Sequence, residues 1–563
     1  MRKLIECVPN FSEGRDQAAI GAITAQIEMV ADVALLDVDA GRATNRTVVT
    51  FVGPPAAVVE AAVRSIAKAT ELIDMSRHTG AHPRFGATDV CPLVPVSGVT
   101  MEETVEHAHL LARRLGDELG LSIYCYENAA LVPDRRNLAD VRQGEYEGLE
   151  ARLEDPRWQP DFGPATFNPR SGATAVGARR FLVAYNVNLN TTSTRRANAI
   201  AFDVRERGRP KRTGDPLTGE IERDANGDEI WIPGSLKSVK AIGWFIEEYR
   251  VAQISMNLTD IDVTPVHIAF DEVCRAAEAR GVRVTGSELV GLMPLDAILD
   301  AGRHFLRKQR RSTGVSDSEL IKIAVKSLGL DELAPFDPGE KIIEYAIDKG
   351  VSRLVDLSVR RFVEETASES VAPGGGSVAA NLGALGAALG TMVANLSSHK
   401  RGWDDRWEEF SDWADRGKAC HDELLALIDA DTAAFKEIMA ASGLPKSTQA
   451  EEAAREEAIQ TATRRAIEVP LRVMEVTLAS MEVLGAMAEA GVAASASDAG
   501  VGAMCARSAV MGAFLNVKTN ARTLTDPGTA AEYVRRGLEL QEQARMREEQ
   551  IIAEVDRRIG AQQ

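Results

Sequence analysis

Along residues 1 to about 345, short apolar runs alternate with longer amphipathic stretches. LIECVPNF, VALLDVDAG, RTVVTFVG, LSIYCYE, RRFLVAYNVNL, AQISMNLTDIDV and VRVTGSELVGLMP are rich in Val, Ile and Tyr and bounded by turn residues, so they predict strands. Between them, 55–74 and 102–119 carry helical periodicity. This is an α+β pattern with strands enough for two sheets, and a break near 177–180 divides it into two α/β subdomains. Beyond about 350 the strand signal stops. Ala-rich helical periodicity then covers 424–440, 451–484, 503–524 and 529–559, which predicts an all-α antiparallel helical bundle. The expected organisation is two subdomains at 1–180 and 181–345, a linker at 346–352 and the bundle at 353–563. A polar segment at about 208–235, rich in Gly, Pro and Asp turn signals, reads as a surface hairpin inserted into the second subdomain.

The length of 563 residues fits roughly three to five folding units. Lys and Arg number 65 against 83 Asp and Glu, a net charge of −18, which argues against nucleic acid as a partner. An anionic ligand must then be met by local positive pockets. Six cysteines without CxxC spacing predict neither disulfides nor a zinc site. The stretch 371–398 is uncharged and long enough to span a membrane. Its Ala and Gly, with Asn381 and Asn395 inside, instead predict a helix buried in a tight bundle. The N-terminus opens without an apolar core. The expectation is a soluble cytoplasmic enzyme with no membrane partner.

Four stretches carry candidate chemistry. The run 74–96 holds Arg77, His78, His82, Arg84 and Asp89. A zinc reading of the two histidines needs a continuous helix, which Gly80 and Pro83 break. General acid/base work from a loop remains, as does the plainer reading of loop histidines without a role. Arg84 could fork onto a carboxylate. The run 35–53 ends a strand at Asp37 and Asp39 and starts the next at Asn45-Arg46, and 161–181 is a Gly/Pro-rich loop entering a strand. APGGGSVAA (372–380) imitates a dinucleotide fingerprint but lacks the flanking strands, so a Gly-rich turn opening a helix at Ser377 survives. Farther along that helix, Gly386 and Gly390 allow a close helix neighbour. Finally, Leu424, Ile428, Phe435 and Ile438 form one helical stripe, and Asp431 sits inside it. A carboxylate there is costly unless paired or needed. It is either satisfied structurally or chemical, with Asn516 and Asn520 as candidate polar neighbours.

Ordered blocks in both halves now matter. ECVPNFSEGRD, ELIDMSRHTGAHPRFGATDVCPLVPVSGV, GEYEGL, DFGPATFNPRSGATAVGARRFLVAYNVNL and SELVGLMPL, then APGGGSVAA, DADTAAF, SDAGVGA and GAFLNVKTN, resemble the glutamate formimidoyltransferase–formimidoyltetrahydrofolate cyclodeaminase family from end to end. The resemblance implies two reactions of histidine breakdown. The first moves a formimino group from N-formimino-L-glutamate to tetrahydrofolate. The second cyclises the product to 5,10-methenyltetrahydrofolate and releases ammonia. It places the catalytic histidine on His82 and the acid of the second step on Asp431. It places a folate loop on Gly163, Pro164, Ala165, Thr166, Phe167, Asn168, Pro169, Arg170, Ser171 and Gly172. Arg46 and Arg84 are charge-based candidates for substrate carboxylates. Gly374, Gly375, Gly376, Ser377, Lys446, Asn516 and Asn520 are candidates for the second site. Tetrahydrofolate, with or without a polyglutamate tail, is the implied co-substrate, no metal is implied, and a homo-oligomer is expected. Two departures stand out: the 208–235 insertion, and Ser398-His399-Lys400-Arg401 where the family usually has Gly before the basic pair. The alternatives are a transferase whose bundle only binds folate or oligomerises, and a non-catalytic scaffold.

Overall fold

In the computed structural model, residues 3–42, 45–80, 84–214, 219–247, 249–348 and 353–560 are described. They form two compact units. One comprises 1–301 with 325–349, and the other 302–324 with 350–563.

Among its described residues, the first unit contains two large sheets and a two-stranded ribbon. In the larger, β1 (Leu4–Cys7) and β2 (Asn10–Phe11) share one position between β4 (Arg46–Gly53) and β5 (Thr88–Ser97), antiparallel to both. β3 (Ala34–Gly41) pairs with β4. On the other side, β7 (Ala173–Ala178) runs parallel between β5 and β6 (Ser122–Glu127). Helices α1 (Gln17–Glu28), α2 (Pro55–Leu72) and α3 (Met101–Leu119) pack on it. Local sequence sets their ends: Pro55 opens α2, Thr100 and Glu103 form a capping box for α3, and Gly120 closes α3 at φ 64°. Ile5, Phe11, Phe51, Ile66, Leu111 and Ile123 are among the buried core residues. The run 88–96, read from the sequence as part of a loop, is the central strand β5. Pro95 sits opposite Ile5 in the antiparallel pairing to β1, where the register slips by a bulge near Leu4, and Pro92 sits opposite Gly177 in the parallel pairing to β7.

The second sheet has the order β11 (Val239–Ile246), β12 (Val251–Leu258), β8 (Val183–Leu189), β13 (Val284–Val290), all antiparallel. Helices α4 (Thr194–Val204) and α5 (Val266–Glu278) pack against it. The insertion is a ribbon in which β9 (Arg209–Pro210) pairs with β10 (Trp231–Ile232). Helices α6 (Leu295–Lys308) and α7 (Asp317–Leu328) follow. Residues 302–324, which the sequence reading kept in the second subdomain, cluster with the helical unit. Thr313 and Gly314 dock there: the Thr313 hydroxyl donates to Asp415 at 2.6 Å, and Asn395 donates to the Gly314 carbonyl at 2.7 Å.

The helical unit is built from α8 (Gly375–Ser398), α9 (Trp407–Ser442), α10 (Gln449–Ala490), α11 (Ala496–Ala521) and α12 (Pro527–Gly560). α9, α10 and α12 outrun the periodicity seen in the sequence at both ends, while α11 starts earlier than expected and ends at Ala521. Small residues let α8 lie close to its neighbours. A Cβ on Gly386 would come within 2.8 Å of the Gly502 carbonyl on α11, and one on Gly390 within 3.2 Å of Leu484 on α10. α8 and the segment 493–521 are each long and apolar enough to cross a membrane, and α8 packs against α9, α10 and α11.

Candidate active sites

Sheet register brings the first half's three polar clusters to one edge. Phe11 of β2 lies beside Thr47 near the start of β4 and Thr88 at the start of β5. Just before those starts, Gly86 bridges Gly172. Asn45 turns the chain at φ 51°. Its side-chain carbonyl accepts from the Gly14 N–H at 3.0 Å, and its amide donates to the Thr79 carbonyl at 3.0 Å. The buried His78 ring donates from Nε2 to the Asn45 carbonyl at 2.8 Å. Its Nδ1 is buried with no partner among the described residues. Arg84 donates to the carbonyls of Met75 and His78, pairs with Glu147 (Nε to Oε1, 3.0 Å) and stacks on Tyr146 at 4.8 Å. His82 lies outside the described residues. Its flanks at Thr79 and Arg84 are both tied down. No group of side chains suited to hold a metal occurs among the described residues.

Arg46 and Arg84 were the expected carboxylate binders. The fold already gives both a protein carboxylate. Asp89 is fully buried and receives both Arg46 and Arg142. Arg46 also donates twice to Asn10 Oδ1, at 3.0 and 2.9 Å. Burial pulls both guanidiniums down to about 10, and for Arg142 the Arg46 charge adds to this, so both stay charged at neutral pH. This pair of arginines on one carboxylate is a rigid brace at the sheet edge. Arg142, Tyr146, Glu147 and Asn10 were not singled out from the sequence. The signal available was Asp89 itself, a charge inside the apolar run of β5.

The loop 163–172 is pinned at both ends and open between them. A Cβ on Gly163 (φ 79°) would lie 1.9 Å from the Leu121 carbonyl, and one on Gly172 (φ 62°) 2.4 Å from that of Phe85. Only glycine fits either place. Pro164, Ala165, Thr166, Asn168, Pro169 and Arg170 are exposed. Asn168 Oδ1 accepts the Arg170 N–H at 3.0 Å, while Tyr146 packs on Phe167 and donates to the Pro169 carbonyl at 2.6 Å. Arg170 donates to the Glu71 carbonyl at 3.3 Å. Ser171 is buried, and its hydroxyl has no partner among the described residues.

In the helical unit, the Asp431 carboxylate lies against the first turn of α8. A Cβ on Gly376 would sit 2.1 Å from Asp431 Oδ1. The buried Ser377 hydroxyl is 3.0 Å from Asp431 Oδ2, 3.1 Å from the Ile428 carbonyl and 3.4 Å from the Thr432 hydroxyl. Burial pushes the Asp431 carboxyl up, and hydrogen bonds from the Ser377 hydroxyl and backbone N–H oppose that. This joins Gly376 and Ser377 to Asp431, more than fifty residues further along the sequence. Gly374 caps the helix, and a Cβ on Gly375 would come 3.8 Å from Asn516 Nδ2. Asn516 therefore borders the same turn, while its amide donates to the Gly512 carbonyl at 3.1 Å. Asn520 instead ties α11 to the Ala466 carbonyl of α10 at 2.8 Å. Lys446 is exposed in the connection after α9. The predicted stripe is correct at Leu424 and Ile428, both buried, but Phe435 is 43% exposed. Ala434 takes the inward position instead, so Asp431 stands where the stripe leaves the core. Asp429 caps a turn through the Leu354 N–H at 2.7 Å.

Comparison with known proteins covers both units. Residues 4–179 match the formiminotransferase domain, N-terminal subdomain, 184–348 the formiminotransferase domain, and 358–537 the formiminotransferase-cyclodeaminase model. Formimidoyltransferase-cyclodeaminase of Gallus gallus is 44% identical over 560 residues, 99% of this chain and 100% of that one. Glutamate formimidoyltransferase of Streptococcus pyogenes is 39% identical over 307 residues, 54% of this chain and 94% of that one. Methenyltetrahydrofolate cyclohydrolase of Methylorubrum extorquens is 36% identical over 175 residues, 31% of this chain and 84% of that one. With likeness of this depth along its whole length, the chain belongs to the formimidoyltransferase-cyclodeaminase family.

Proposed function

We propose that this protein transfers the formimino group of N-formimino-L-glutamate to N5 of tetrahydrofolate and then closes the ring to 5,10-methenyltetrahydrofolate with loss of ammonia. The observation that carries the second step is the Asp431 carboxylate held by Ser377 against a helix start where Gly376 leaves it room. Ring closure passes through cationic species. A half-buried carboxylate can stabilise them and shuttle the proton that leaves with ammonia. Burial raises its proton affinity toward the range such a shuttle needs.

For the first step, the amidinium carbon is already electrophilic. N5 attack needs a proton acceptor, and glutamate departure needs a donor. His82 can do both in turn. The braced Asn45, His78 and Arg84 hold its loop, and the open face of 163–172 offers backbone groups and Arg170 to the folate. Arg46 and Arg84 act by holding this scaffold rather than by gripping substrate alone. A polyglutamate tail, a cytoplasmic location and a homo-oligomer complete the reading. For the oligomer, the support is an apolar face on α8 and α11, where Leu385, Leu396, Met504 and Leu515 are about half exposed.

The test is to supply formiminoglutamate and tetrahydrofolate and follow the near-ultraviolet absorbance of the methenyl product. His82→Ala should abolish the first step while preformed 5-formimidoyltetrahydrofolate is still cyclised. Asp431→Asn should release that intermediate unclosed. Undiminished ring closure in Asp431→Asn would overturn the assignment of Asp431; formimino transfer without ring closure in the unaltered chain would favour a bundle that only binds folate or oligomerises, and neither reaction would leave a scaffold.

A further inference from the structure

The segment 195–212 carries seven Lys or Arg and two Asp or Glu, within a chain of net charge −18. Such a reversal needs a local reason. Part of it is structural. Arg196 donates to the Arg280 carbonyl, Arg205 to the Gly208 carbonyl, Arg207 stacks on Trp231, and Lys211 pairs with Glu222. Three cations are left, and they converge.

Arg195, Asn198 and Phe202 lie on one face of α4, at successive three- and four-residue steps. The insertion brings Arg209 and Pro210 of β9, and Arg212 just after it, to this face. Together they line a cavity of about 170 Å³. Its charge is poorly balanced. Arg209 meets Asp203 at 2.9 Å, but Asp203 also serves Arg280, whose Nε is 2.6 Å away. Among the described residues Arg212 has a neutral partner alone, the Gly219 carbonyl at 2.6 Å. Arg195 has no ion pair or hydrogen bond among the described residues. The Asn198 amide is already used by the Gly243 backbone in both directions, so it adds no competing acceptor to the cavity.

We propose that this cavity, formed between α4 and the insertion, binds the phosphate or pyrophosphate group of a small molecule. Guanidinium forks match tetrahedral oxyanions, and the half-buried Phe202 and Pro210 form apolar walls beside them. The space is below the roughly 300–1,000 Å³ of a whole-ligand pocket, so it receives the charged group alone. A phosphate carries about two negative charges, and a single carboxylate carries one. The phosphate is the better counterpart to three guanidiniums that share half a partner. The insertion thereby gains a role that the two folate reactions do not give it, since neither proposed site includes it.

The experiment is calorimetric titration of the full chain with inorganic pyrophosphate, at about 50 and about 200 mM salt. One saturable site is expected, weakened by salt. Binding should fall about tenfold or more in both Arg195→Ala and Arg212→Ala, as for loss of a charge-assisted contact. Formimino transfer and ring closure should proceed at unaltered rates in both variants, which also shows that they fold. γ-Linked triglutamate serves as the competing anion. The proposal is overturned by no saturation up to about 10 mM pyrophosphate, by full binding in Arg195→Ala, or by triglutamate outcompeting pyrophosphate at these arginines.

Discussion

Removing one oxygen at Ser377 tests the second site most directly. The Asp431 carboxyl is under two opposed influences. Burial raises its proton affinity, and the Ser377 hydroxyl and backbone N–H lower it. Ser377→Ala deletes the hydroxyl but leaves the burial and the N–H. A hydrogen bond to a charged group contributes about 1.5–3 kcal/mol, or roughly one to two pKa units. The hydroxyl has one proton and two further oxygens nearby, the Ile428 carbonyl at 3.1 Å and the Thr432 hydroxyl at 3.4 Å. That sharing and the half-exposed site favour the lower figure, about one unit upward. The assay is stopped-flow absorbance of methenyl product from preformed 5-formimidoyltetrahydrofolate across pH. If ring closure needs the ionised carboxylate, the acid limb of the rate profile should move to higher pH by about one unit. Formimino transfer should not change. An unmoved limb, or one moved to lower pH, would refute the assignment of the Ser377–Asp431 pair.

Three other outcomes are expected. Gly376→Ala puts a methyl group 2.1 Å from Asp431 Oδ1, so the carboxylate must shift. Ring closure should drop about a hundredfold while formimino transfer continues, and equal rates in both would contradict the geometry. Asp89→Asn leaves Arg46 and Arg142 buried without their shared carboxylate, and urea unfolding of the first unit should show a loss of about 3–5 kcal/mol. A loss under about 1 kcal/mol would show that the brace is solvated. Burial raises buried Glu6 to about 7, with Arg179 opposing. Its folded pKa lies above the unfolded one, so its contribution is intact below about pH 4.5 and is lost as pH rises through 7. Between about pH 5 and pH 8 it should cost about 3 kcal/mol. Glu6→Gln should flatten that part of the stability curve, and parallel curves would exclude it.

Sequence patterning revealed what depends on neighbours along the chain. The change from strands to helices near 350 and the turn at Gly374–Ser377 were legible because each is a local period or a local breaker. β5 was not, since Pro92 and Pro95 argue against a central strand unless a bulge accommodates them. Asp431 could be found by its place in an apolar stripe. Its partner Ser377 could not be assigned to it, because only the packing of α8 on α9 joins them. The same holds for Arg142, whose meaning comes from Asp89 on a different element. Phe435 was misplaced because the stripe was continued past the point where α9 leaves the core.

The docking of residues 302–324 into the helical unit has a consequence for biosynthesis. Thr313 and Asp317 emerge from the ribosome about a hundred residues before Asp415 and Lys418, which bind them. At about 5–20 residues per second, this segment waits roughly 5–20 s without its partners. During that interval the Thr313 hydroxyl and the Asp317 carboxylate lack the Asp415 and Lys418 groups that bind them in the finished protein. A gene divided at about 350 would make the wait permanent for one product and deprive the other of its contacts with Thr313, Gly314 and Asp317. The two halves of the sequence can therefore be expected to separate cleanly only when the cut respects the packing, with 302–324 supplied to the helices.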